Sequence, residues 1–144
     1  MASALDVVPA TAQHLASLPT WFSTPGALAQ WGGSTLRFPL DAVQIDAMLA
    51  ETQTKPPLRL AFAGIVEHDT AAHAQLVLDW TDGIARLARF AIAPRYRGQG
   101  LARPFLTEIF GRLDEDAAYP RLDLTVSTLR TPAIALYASP RVER

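Results

Sequence analysis

The run Pro94-Arg95-Tyr96-Arg97-Gly98-Gln99-Gly100-Leu101-Ala102 lies between an apolar segment, Ile84 to Ala93, and a stretch of helical periodicity. Its residue types suit the binding of phosphate. Four backbone amides at a helix start lack intrahelical partners and sit at the positive end of the helix dipole, so a pyrophosphate can accept several of their hydrogen bonds together. Gly98 and Gly100 put no side chain in the way of an anion. Pro104 falls in the first helical turn, where its missing N–H and fixed φ are tolerated, and Arg97 and Arg103 can add charge at the rim.

The elements that must hold this turn follow from period and punctuation. Leu101, Phe105, Ile109 and Leu113 recur every fourth residue, with Leu106 and Phe110 beside them, which predicts an amphipathic helix from Gly100 to about Ala118. Upstream, Leu60 to Val66 is a continuous apolar strand. Ala74, Leu76, Leu78 and Trp80 then alternate with His73, Gln75, Val77 and Asp79 as a second, the two joined at His68-Asp69-Thr70. Thr81-Asp82-Gly83 is a turn signal before Ile84 to Ala93, and Leu122, Leu124 and Val126 alternate as a later strand. Leu5 to Val8 is a short strand candidate. Helices are expected after Thr11, after Thr24-Pro25 as far as Trp31-Gly32-Gly33, from Asp41 with Gln44 as a capping-box variant to near Lys55-Pro56-Pro57, and over Ala133 to Ala138 behind Thr131-Pro132.

With 144 residues, 49% hydrophobic and 19% charged, and no linker or repeat, the chain reads as a single domain over 1–144. Lys and Arg total 13 against 14 Asp and Glu, so no cationic excess exists to neutralise a run of phosphates, and nucleic acid is not an expected partner. The absence of cysteine excludes disulfides, thiolate metal ligands and a cysteine nucleophile. His14, His68 and His73 are too scattered for a metal site and are expected at the surface or half-buried. Met1 to Val8 lacks a basic segment followed by an apolar run, and no stretch approaches the ~20 apolar residues of a membrane helix, so a cytoplasmic protein without membrane contact is expected.

The run Arg97 to Ala102 resembles the Gln/Arg-x-x-Gly-x-Gly/Ala pyrophosphate loop of the GNAT superfamily of N-acetyltransferases, and Pro94 sits where such sequences commonly have proline. Residues Ala63 to Tyr137 resemble the family in order and spacing. The resemblance implies an α/β fold with a mixed, mainly antiparallel central sheet flanked by helices. It implies acetyl-CoA as co-substrate, wedged between Ile84 to Ala93 and Arg121 to Ser127. Its pyrophosphate would lie on Arg97, Gly98, Gln99, Gly100, Leu101, Ala102 and Arg103, and its pantetheine would pair like a strand with Phe90, Ala91 and Ile92. Val126, Ala133, Leu136 and Tyr137 resemble the family's second conserved block, which makes Tyr137 the candidate general acid: a phenol of pKa ~10 can protonate a departing thiolate.

Three departures stand beside the resemblance. The strand that often carries a glutamate base in the family has Arg86 and Arg89 but no acid; Asp79, Asp82 and Glu67 are the nearest carboxylates. Arg130 replaces the usual asparagine, and Arg141-Val142 the usual Gly-Phe pair. A C-terminus shortened by two strands is therefore expected, and an uncovered edge near Arg121 to Ser127 points to a homodimer or larger assembly, the alternative being a shortened product with its acceptor side open. Two functional classes fit: an N-acetyltransferase acting on a small-molecule or peptide amine, and a non-catalytic acyl-CoA-binding or interaction module. A dinucleotide-binding turn fits less well, because Arg103 occupies the third glycine position and the turn follows the fourth strand candidate. Of Trp21, Trp31, Phe38 and Trp80, Trp31 is the one expected in a loop by an acceptor pocket.

Overall fold

The change of hydrophobic period after the prolines at 56 and 57 marks the entry into the sheet. A computed structural model describes residues 4–81, 84–115 and 123–125. Strands β1 (Leu5–Pro9), β2 (Arg59–Val66), β3 (Asp69–Asp79), β4 (Ile84–Ile92) and β5 (Asp123–Thr125) form one sheet in sequence order. β1 to β4 are antiparallel, and β5 runs parallel to β4. The mixed, mainly antiparallel sheet expected from the sequence is the one observed.

Helix α3 (Ala102–Glu115) covers one face. Its four-residue stripe becomes core: Phe105, Leu106 and Ile109 are wholly buried against Ala72, Ala74 and Leu76 of β3 and Ala85 and Leu87 of β4. The other face is covered by a 3₁₀ helix (His14–Trp21), α1 (Pro25–Gly32) and α2 (Ala42–Ala50), which contribute Leu15, Leu18, Leu28, Ile45 and Met48 to a second core. Two covered faces explain why β3 is buried on both sides over Ala71 to Leu76.

The start signals hold where a side chain can reach the backbone. Thr24 Oγ1 accepts the Ala27 amide at 3.0 Å ahead of Pro25, and Gly33, at φ 86, donates its amide to Ala29 O at 2.8 Å. Asp41 Oδ1 accepts the Gln44 amide at 3.0 Å, but Gln44 does not complete a capping box. Its Oε1 accepts from the Arg37 amide and its Nε2 donates to Arg37 O and Pro39 O, so it fastens the preceding loop instead.

Other expectations change. Helix α2 ends at Ala50, not near Lys55, because the hydroxyls of Thr52 and Thr54 take Leu49 O and Glu51 O and fold the chain into turns. The β2–β3 connection is the tighter turn Glu67-His68, both at positive φ, with Asp69 already in β3. Trp31 lies in the last turn of α1, not in a loop, and Trp80, just past the end of β3, is 36% exposed. The expected helix over Ala133 to Ala138, and the ends of the strand from Arg121 to Ser127 apart from Asp123–Thr125, lie outside the described residues.

Candidate functional site

β4 ends at Ile92, a short 3₁₀ turn (Pro94–Tyr96) follows, and the chain enters α3 through Arg97 to Leu101. Gly98 and Gly100 lie at φ 78 and 76, a region that only residues without a Cβ adopt freely, and a Cβ at either would meet open space. These glycines are therefore required by the path of the chain, and the space in front of them is empty. Among the described residues the amides of Gly98, Gly100 and Leu101 donate no hydrogen bond. Three free donors thus lie beside the positive end of a helix, the kind of place where an anion can be held.

Side chains hold the turn from behind. Gln99 Nε2 donates to Arg95 O at 3.0 Å, and Tyr96 O–H donates to Asp69 Oδ2 at 2.9 Å. Arg95 pairs with the same carboxylate at 3.3 Å, so the turn is anchored to the β2–β3 hairpin. The bond to Asp69 holds the Tyr96 phenol above its ordinary pKa. Arg97 does not simply extend into solvent: its Nε donates to Ile92 O at 3.1 Å, and Arg103 is exposed in the first turn of α3.

The edge of β4 next to this turn is open among the described residues. β5 pairs only with Ile84, Ala85 and Arg86, while β3 continues to pair along β4 as far as Ile92. Ala93 donates its amide across to Ala71 O at 2.8 Å, so by the alternation of a strand Ile92 turns its own amide and carbonyl toward the open edge. Phe90 packs its ring against Phe105 at 6.2 Å, and Ala91 faces the second core. The residues expected to line acetyl-CoA, Phe90 to Ile92 and Arg97 to Arg103, are thus contiguous along one edge and one turn. Tyr137 lies outside the described residues.

Sequence reasoning missed a bulge. Gln75 pairs with Ala88 and His73 with Ala91, so β4 carries one extra residue, and Arg89 adopts φ 54. The bulge reverses the facing of the strand: Ala85 and Leu87 point to α3 before it, Phe90 and Ile92 after it, and Arg89 stays on the α1 side.

There Arg89 meets a buried polar group. Its Nη1 donates to Gln75 Oε1 at 3.3 Å, and Arg59 Nη1 donates to the same oxygen at 3.0 Å. Two guanidiniums on one oxygen fix the amide of Gln75, whose Nε2 must then be the donor to His73 Nε2 at 2.9 Å. His73 is consequently the Nδ1–H tautomer, donating to Phe62 O at 2.9 Å. Contrary to the surface or half-buried position expected, His73 is fully buried, because the helical layer covers its face of β3, and desolvation pushes its pKa down to about 4.

The carboxylates nearest in sequence are poorly placed to act at Phe90 to Ile92. Asp79 pairs with Ile84 at the far end of β4, roughly 23 Å from Ala91 at the rise of a strand, and Glu67 lies in the β2–β3 hairpin turn, past the paired end of β4. Asp82 lies outside the described residues. Among the described residues no cluster of three His, Cys, Asp or Glu could hold a metal, and no helix is long and apolar enough to cross a membrane.

Solved structures share this fold. One is a possible acetyltransferase from Clostridium difficile, with a TM-score of 0.67 at 16% identity over 94% of this chain and 88% of that one. Another is a ribosomal-protein-alanine N-acetyltransferase from Brucella melitensis, with a TM-score of 0.63 at 13% identity over 96% and 91%. A ribosomal alpha-N-protein acetyltransferase in complex with coenzyme A gives a TM-score of 0.63 at 12% identity over 85% and 71%. These likenesses establish the fold. Residues 28–140, from within α1 through α2, β2 to β5 and the glycine turn, match the acetyltransferase (GNAT) family, and the chain belongs to that family.

Proposed function

We propose that this protein transfers the acetyl group of acetyl-CoA to the amine of an acceptor by direct attack on the thioester. The observation that carries the proposal is the glycine turn: unbonded amides at Gly98, Gly100 and Leu101, at the start of α3 and beside the open edge of β4. A pyrophosphate accepts from those amides, and the pantetheine pairs with the edge at Phe90 to Ile92, displacing Arg97 from Ile92 O. The neutral amine nitrogen bonds to the carbonyl carbon as the C–S bond breaks, and it gives up one N–H proton to water. Tyr137, from its place in the sequence motif, protonates the departing thiolate.

Two substitutions test this. Gly100→Glu puts a carboxylate where the phosphate lies and should abolish acetyl-CoA binding, whereas Gly100→Asn, which tolerates positive φ and carries no charge, should retain much of it. Equal affinity of the glutamate variant and the wild type by calorimetry sinks the placement. Tyr137→Phe should lower kcat by ~100-fold with acetyl-CoA affinity intact, and equal turnover would remove Tyr137 from the mechanism.

One observation favours a second reading, a module that binds acyl-CoA without transfer. β4 carries no carboxylate, and Glu51, on the same side of the sheet as Arg89, is engaged with Arg59 at 2.9 Å. Thiol release over a panel of amines separates the two, since the module gives a binding isotherm and no turnover.

A further inference from the structure

Arg89 is a half-buried cation with no anionic partner among the described residues. Among the described residues no carboxylate pairs with it; its donors go to Gly32 O at 3.2 Å, Gln75 Oε1 at 3.3 Å and Thr35 Oγ1 at 3.5 Å, all neutral. Its guanidinium lies 6.0 Å from the centre of the Trp31 ring. The nearest other charges are Arg59, which shares Gln75 with it, and Glu51, which Arg59 already engages. Among the described residues, two guanidiniums and one carboxylate leave one positive charge unmatched in a partly dry layer, an arrangement that is costly until an anion completes it.

A second observation points the same way. Trp31 Nε1 is a buried donor with no acceptor, the single such side-chain atom among the described residues. Its ring packs between Phe22 at 4.6 Å and His73 at 6.1 Å, beside Arg89. Among the described residues, the layer between α1 and the bulge of β4 therefore holds more donors than acceptors and more positive than negative charge. Burial and the neighbouring Arg59 cation both press the Arg89 pKa below its ordinary value, as expected for a charge that lacks its partner.

The position ties this surplus to the reaction. Arg89 immediately precedes Phe90 to Ile92, three residues beyond the last β4–β5 pair at Arg86, where the strands no longer cover one another among the described residues. Resting on the transferase reading above, we infer that the acceptor is an amine bearing an anionic oxygen group, carboxylate or phosphate, which Arg89 holds beside Trp31 while the amine reaches the thioester. A polycationic amine meets like charge at the same place and is disfavoured.

Matched acceptors test the inference: glycine against glycinamide for carboxylate, phosphoethanolamine against ethanolamine for phosphate, and spermidine as the cationic control. For the wild type, Arg89→Asn and Arg89→Lys, kcat/KM for each pair is measured by thiol release, and comparing the ratios between proteins cancels the intrinsic reactivity of the amines. Asparagine suits the positive φ of this position without the charge; lysine keeps the charge and loses the fork. The wild type should prefer one anionic member by about ten-fold or more, the scale of one charged hydrogen bond, mainly through KM. Asparagine should erase the preference and lysine keep part of it. The pair that responds identifies carboxylate or phosphate. A wild-type preference for neutral amines or spermidine, or a preference untouched in Arg89→Asn, overturns the inference.

Binding gives a readout that does not need turnover. Titration of the wild type with acetate and with inorganic phosphate should shift the Trp31 indole N–H resonance, and Arg89→Asn should remove the shift; a resonance that moves with neither anion overturns the site. Should calorimetry find no acetyl-CoA binding, the transferase reading fails and this titration alone decides whether Arg89 holds an anion.

Discussion

Burial makes His73 a stability determinant with a defined pH window. Its pKa is pushed from 6.5 to about 4 by desolvation, so the folded protein resists a proton that the unfolded chain accepts. The contribution is fully present above pH 6.5 and is lost as the pH falls toward 4, because over that range the unfolded state binds more protons. The full effect is on the order of 3 kcal/mol by linkage. Urea midpoints from pH 7.5 to 4.5 should therefore fall, and His73→Phe, less stable at neutral pH for leaving the Gln75 amide short of an acceptor, should fall less steeply. Parallel profiles would mean that the acid sensitivity lies elsewhere. The role of this histidine was not legible from its neighbours in sequence: alternation assigned His73 and Gln75 to the face opposite the core, and only the second helical layer turns that face inward.

At the scale of elements, two glycines of the same packing layer have opposite roles. Gly64 in β2 lies under Phe105 of α3: a Cβ there would lie 3.0 Å from Phe105 Cδ1 and 3.1 Å from Ala72 Cβ, neither able to retreat within a filled core. Gly64→Val should cost about 1–3 kcal/mol as overpacking. Gly111, inside α3, has nothing near its missing Cβ, so Gly111→Ala should add about 0.5–1 kcal/mol by relieving the helix of glycine's entropy. Chemical denaturation of both variants checks the pair, and a stabilising Gly64→Val would show that α3 can lift off the sheet at low cost. The α3 stripe, the Thr24 and Asp41 caps and the run Leu60 to Val66 were legible because period and capping are local properties. The bulge at Arg89 was not, since nothing in Ile84 to Ala93 marks which residue lacks a partner on β3 until the two strands are paired.

Over the whole molecule, the two cores hold β4 between them, so a ligand on its edge and on the α3 turn should stabilise both layers. Acetyl-CoA at a hundred times its Kd should add about 2.7 kcal/mol to the unfolding free energy. That gain should appear as a higher Tm with slowed amide exchange at Gly98 to Ala102, and vanish in Gly100→Glu; a ligand-independent Tm in the wild type would contradict it. The sequence by itself determined the glycine turn, the helix behind it and the order of strands, because each depends on residues within a few positions of one another: glycine where φ must be positive, apolar residues at the spacing of one helical face. The tertiary structure alone decided which polar residues meet. Glu51, Arg59, His73, Gln75 and Arg89 come from α2's end and three strands, and their charge balance exists only once the sheet pairs, the bulge turns Arg89 toward α1 and the helical layer excludes water. Desolvation and register are properties of the assembled fold, and no run of neighbouring residues encodes them.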